Sequence, residues 1–129
     1  MKYGLTLIFM MTLLSCSKNE TNIINSTDLK GKWIDVETRQ DTLYFESLDN
    51  LEIMNLNRGK EIREGHLLPK YGSGPYNYKL SELKISLNWM LSSNSNFNDY
   101  YFEIIENKLI IGNFYGSEYG ETLTFEKLK

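Results

Sequence analysis

Cys16 is the only thiol in the chain and His66 the only imidazole. Between them they exhaust the residues that could serve as a ready nucleophile or shuttle a proton near neutral pH. One cysteine and one histidine cannot furnish a Cys/His zinc site. His66 stands in a Gly- and Pro-rich stretch with no Ser or Cys motif and no carboxylate beside it, which marks a surface residue. Asp35, Glu37, Asp41, Glu46, Glu103 and Glu106 could supply the acid and base of a glycosidase. On alternating strands, however, such carboxylates ordinarily form the solvated face. Tyr71-Gly72-Ser73-Gly74-Pro75 has glycines enough for a phosphate cradle, but that chemistry needs a helix start, and Pro75-Tyr76-Asn77-Tyr78 opens a strand instead. The residues point away from an enzyme, a metal or a cofactor. Aromatic side chains are the richer resource: Trp33, Tyr76, Tyr78, Trp89, Tyr100 and Phe102 fall on faces expected to point inward. Trp33, Tyr78 and Trp89 are the expected contacts for a small apolar ligand.

Cys16 acquires a use from what precedes it. Lys2 is followed by an apolar run, Leu5 to Leu14, too short to span a bilayer, which takes about 20 residues. It has the form of a cleavable export signal. Leu13-Leu14-Ser15-Cys16 resembles the lipobox of bacterial lipoproteins, which implies removal of residues 1–15 and acylation of Cys16. Cleavage would leave 114 of the 129 residues, enough for one domain. Residues 16–27 read as the lipidated cysteine and a polar tether, with an r.m.s. reach of about 17–20 Å for eleven flexible residues. The domain is expected over 28–129. Ser17 resembles the default sorting context for the outer membrane, and Lys18-Asn19-Glu20 partly resembles a surface-export signal. A lipid-anchored outer-membrane protein, facing the periplasm or the cell surface, is the expectation.

The formal charge of −3 argues against a nucleic-acid partner, and 41% hydrophobic residues support a packed core. No disulfide can reinforce it, since the single Cys is consumed by the anchor.

The elements that must position these aromatics are strands. Thr42–Ser47, Leu51–Leu56, Tyr76–Ser81, Leu83–Trp89, Tyr100–Ile105, Lys108–Gly112 and Thr122–Lys127 alternate apolar and polar residues. Asn57-Arg58-Gly59 suggests a hairpin from Leu51–Leu56 into Lys60–Glu64. Gly65 to Pro75 is expected to be a loop without regular structure, and Ser92–Asp99 a polar loop. Eight or nine short strands with no βαβ spacing imply an antiparallel meander, closed as a barrel or folded as a two-sheet sandwich.

Gly31-Lys32-Trp33, the Tyr100–Ile111 hairpin of form Tyr-x-Phe-x-Ile-x-x-Asn-x-Leu-x-Ile, and the final Thr-Leu-Thr-Phe strand resemble the lipocalin-like lipoproteins of Bacteroidetes. The resemblance implies a barrel whose first-strand Trp closes one end with a late Arg packed against it. No Arg follows Arg63, so Lys127 or Lys129 would have to stand in. It further implies a non-catalytic, membrane-tethered module holding a small apolar molecule, such as a lipid or isoprenoid. An alternative is an envelope inhibitor or immunity protein that plugs a partner enzyme with Tyr71–Pro75 or Ser92–Asp99. Gly72-Ser73-Gly74 followed by Tyr76 faintly resembles lipoprotein inhibitors of C-type lysozyme. A structural accessory role at the cell surface is the third reading.

Overall fold

The computed structural model describes residues 24, 26–116 and 120–129. Cys16, the signal segment and residues 17–23 of the expected tether lie outside the described residues. One helical turn, α1 (Ser26–Leu29), leads into ten strands: β1 (Gly31–Asp35), β2 (Thr42–Leu48), β3 (Leu51–Asn57), β4 (Lys60–Arg63), β5 (His66–Pro69), β6 (Gly74–Ser81), β7 (Lys84–Trp89), β8 (Asn98–Ile105), β9 (Lys108–Gly112) and β10 (Thr122–Lys127). Eight of them close into a barrel in the order β1-β10-β9-β8-β7-β6-β3-β2, and β4 and β5 form a separate two-stranded sheet. The expected all-β, closed antiparallel barrel is what forms; the sandwich is not.

Closure follows from the alternation. Trp33, Leu43, Phe45, Leu56, Met54, Tyr76, Tyr78, Leu87, Ile85, Phe102, Ile111, Leu109 and Phe125 occupy cross-strand partner or alternate positions, so all face inward, and all are buried. An eight-stranded barrel has an interior about wide enough to be filled by such side chains.

The meander gives the barrel two unlike ends. At one, here the entry end, lie α1 and the tight turns β2–β3, β6–β7 and β8–β9. Trp33 seals it: the ring is 1% exposed and its Nε1–H donates to the carbonyl of Leu29 at 2.9 Å. Lys127 Nζ sits 5.4 Å from the centre of the Trp33 ring and donates to the carbonyl of Asp28 at 3.0 Å. The cation over the first-strand Trp is therefore Lys127. At the other end, the hairpin end, lie the β1–β2 turn, the β4–β5 excursion, and the β7–β8 and β9–β10 loops.

Three expectations need correction. β3 does not pair with residues 60–64; it pairs with β6, Met54 opposite Tyr76 and Leu56 opposite Gly74. The turn chemistry is present, with Gly59 at φ +78° and its N–H held by Asn57 Oδ1 at 2.9 Å, but it steers the chain off the barrel. Lys60-Glu61-Ile62-Arg63 has one apolar residue and cannot cover Met54 and Leu56. Nor is 65–75 irregular throughout, because His66–Pro69 is a strand paired with Lys60–Arg63. Glu64 and Gly65, both at positive φ, make the two-residue turn between them. A third correction concerns the carboxylates: Asp35 is 6% exposed, because its Oδ2 accepts from Thr38 N at 2.8 Å and Thr38 Oγ1 at 2.6 Å, holding the β1–β2 turn.

Candidate functional site

Aromatics crowd the hairpin end. Tyr76 stacks on Trp89 with ring centres 6.3 Å apart, Tyr71 meets Trp89 edge-on at 5.4 Å, and Phe114 packs edge-on against Tyr76 at 5.1 Å and Tyr115 at 4.9 Å. Tyr76 donates to the Gly72 carbonyl at 2.6 Å and Trp89 Nε1–H to that of Ser73 at 3.2 Å. The Gly-rich stretch is thus a clamp over this aromatic plug. Gly72 lies at φ +83°, and a Cβ there would stand 2.8 Å from Tyr115 Cβ. Gly72→Ala should cost about 2–4 kcal/mol, combining left-handed backbone strain with overpacking; urea unfolding measures it.

Polar groups fasten the plug. Asp41 Oδ2 accepts from Tyr115 OH at 2.9 Å and from Arg58 Nε at 3.4 Å. Arg58 also donates to the Tyr71 carbonyl at 2.6 Å and lies 4.6 Å from the centre of the Tyr115 ring. Arg58 and Asp41 carried no distinguishing signal in sequence, since they are seventeen residues apart and meet only because β2 and the β3–β4 turn share the rim.

Burial, before the charge of Asp41, pushes the Tyr115 hydroxyl far above its ordinary range. Burial does the same to Tyr76, and burial with the hydrogen bond to Glu52 does so to Tyr78. In each case the folded state favours the neutral phenol, so their stabilisation is complete below about pH 10 and fades as pH rises beyond it. Spectrophotometric titration should find Tyr76, Tyr78 and Tyr115 still neutral above pH 10 until the barrel unfolds.

From this plugged end the β4–β5 hairpin stands out. Its two faces differ. Glu61, Arg63, His66 and Leu68 share one, and there Arg63 pairs with Glu61 at 3.3 Å and donates to the Pro69 carbonyl at 2.7 Å. Lys60, Ile62, Leu67 and Pro69 share the other, where Ile62 is 75% and Leu67 64% exposed. At the root of that face lies a groove of about 470 Å³ lined by Lys32, Gln40, Thr42, Asn57, Arg58, Lys60 and Lys70. Lys32, Lys60 and Lys70 form no ion pair with a described residue. Lys60 belongs both to this groove and to the hairpin face that carries Ile62 and Leu67, so bare aliphatics and lysines lie close together on an acidic protein.

The ligand contacts expected from sequence do not converge. Trp33 is at the entry end, Tyr78 is in mid-barrel with its ring edge-on to Phe45 at 5.4 Å and its hydroxyl on Glu52 at 2.9 Å, and Trp89 belongs to the plug at the far end. His66 is exposed on β5. Among the described residues no cluster of His, Cys, Asp and Glu could hold a metal ion, and no helix is long and apolar enough to cross a membrane. Compared with known proteins, the chain matches no family model, no curated protein and no solved structure.

Proposed function

We propose that this chain is a non-catalytic binding module of the cell envelope, anchored through acylated Cys16 in the outer membrane, that engages a partner protein with its hairpin end. The observation that carries the reading is the unlike pair of hairpin faces. One pairs Glu61 with Arg63 and leaves Leu68 39% exposed, while the other leaves Ile62 and Leu67 far barer, at 75% and 64%, beside lysines that form no ion pair among the described residues. A two-stranded hairpin is marginal in water, and folding alone does not account for two large aliphatics left in solvent. Apolar anchors ringed by charge are the ordinary make-up of a protein-binding surface.

The reading of a small apolar ligand inside the barrel is less well supported, because Trp33, Tyr78 and Trp89 are each committed to neighbours and the inward positions between them are filled. A photo-crosslinking amino acid at position 62 or 67, in the native envelope, should give a discrete protein adduct that is missing from position 101 on the β8 outer face. A protein that yields no adduct at either position, but releases a stoichiometric apolar molecule in native mass spectrometry, overturns the proposal in favour of the ligand.

A further inference from the structure

The entry end carries a pattern that the packing of the barrel does not explain. Leu48 and Leu51 face each other across the β2–β3 turn and are 51% and 50% exposed. Leu83 in the β6–β7 turn is 52% exposed, and Ile105 at the β8–β9 turn 49%. Because β3 neighbours β6 and β7 neighbours β8, these three turns lie side by side on one rim. The arc continues past Leu128, 37% exposed, beyond the end of β10, to α1, where the chain enters the barrel.

Leu83 is the informative member. It adopts φ +52°, a conformation that costs a branched side chain and that turns normally give to Gly or Asn. The strain brings no burial in return, since half the side chain meets solvent. The backbone of this turn serves the fold, the Leu83 carbonyl accepting from the Phe102 N–H at 3.1 Å, but nothing in that role asks for an aliphatic side chain at the rim. The turns also carry Asp49, Asn50, Glu82, Lys84, Glu106, Asn107 and Lys108, of mixed sign, so the rim offers aliphatic contact without a strong field.

We infer that this rim rests on the lipid surface. The inference depends on the reading of Cys16 as an acylated anchor. Ile24 already packs against the core and α1 begins at Ser26, so seven residues separate that cysteine from the domain; a flexible chain of that length has an r.m.s. reach of about 13–16 Å. The seven-residue strands β2 and β3 are about 23 Å long at roughly 3.3 Å per residue, which at the tilt of about 35–45° of barrel strands puts the two ends about 16–19 Å apart. The entry end is therefore the end the anchor holds near the bilayer. Leu48, Leu51, Leu83 and Ile105 settle at the boundary of headgroups and acyl chains, the depth reached by interfacial apolar faces. The barrel then stands upright, with the hairpin end directed away from the membrane that holds it.

The test uses full-length acylated protein in vesicles of phosphatidylethanolamine and phosphatidylglycerol, where thioether formation leaves Cys16 without a free thiol. Leu83→Cys and Ile62→Cys are each labelled with an environment-sensitive fluorophore. The label at 83 should be several-fold brighter, blue-shifted and quenched by shallow brominated lipid, and the label at 62 should behave as in water. Vesicle-bound protein whose label at 83 also reports water overturns the rim contact and leaves the anchor intact. Protein recovered with Cys16 as a free thiol and no vesicle attachment overturns the anchor, and the rim contact with it. The variant Leu48→Asp/Leu83→Asp/Ile105→Asp should stay anchored while quenching at 62 at least doubles; unchanged quenching there also counts against the inference.

Discussion

Replacing Cys16 by alanine should move nearly all of the protein from the membrane pellet to the soluble fraction without unfolding it. Each buried methylene of an acyl chain contributes about 0.8 kcal/mol, so one chain holds a protein marginally and several hold it in effect permanently. Removing the only thiol removes every site for such chains. The barrel should keep its fold, because the buried core runs from Leu29 to Phe125 with Ile24 packed against it, all of it beyond Cys16 in the chain. Fractionation with near-UV circular dichroism checks both halves. Variant protein that stays in the pellet, with native dichroism, would mean that something other than acylation holds it there.

Trp33→Ala should be the most damaging substitution within the domain. Large aromatic-to-alanine changes in cores cost about 3–5 kcal/mol, against a total of about 5–15 kcal/mol for an ordinary domain. Here the loss is compounded locally. The Leu29 carbonyl loses its indole donor, the turn of α1 loses the ring it packs on, and the Lys127 ammonium loses the π face beneath it. At about 4–8 °C per kcal/mol for a domain of this size, calorimetry should record a fall in Tm of at least about 12 °C. Trp33→Phe, which keeps a ring but not the N–H, should lose less than half as much. Equal losses from both would assign the effect to the hydrogen bond rather than to ring volume.

Strand alternation made the barrel legible, because period-two patterns such as Ile85–Trp89 and Tyr100–Ile105 place apolar residues on one face whatever their partners; Leu83, read into the first of these runs, sits instead in the turn before β7. Pairing was less legible. The choice of β6 over β4 as the neighbour of β3 rests on which segment can cover Met54 and Leu56, a question of two faces meeting rather than of either sequence alone. The buried polar groups were least so. Asp35 reads like any strand carboxylate until Thr38 folds back on it, and Asp41, Arg58 and Tyr115 are brought together by closure of the ring. Ile62 and Leu67 were visible as apolar residues, but their exposure depended on a hairpin whose second strand was hidden in a stretch of three glycines and two prolines, Gly65 to Pro75.

That hairpin leaves and rejoins the barrel at a single point. The N–H of Lys70 donates to the carbonyl of Gly59 at 3.1 Å, so the two ends of the excursion are already joined before the ten residues between them are considered. The barrel wall is complete without them. Residues 60–69 are therefore an interchangeable cartridge: a hairpin of different length and chemistry could replace them while the staves of the barrel keep their register.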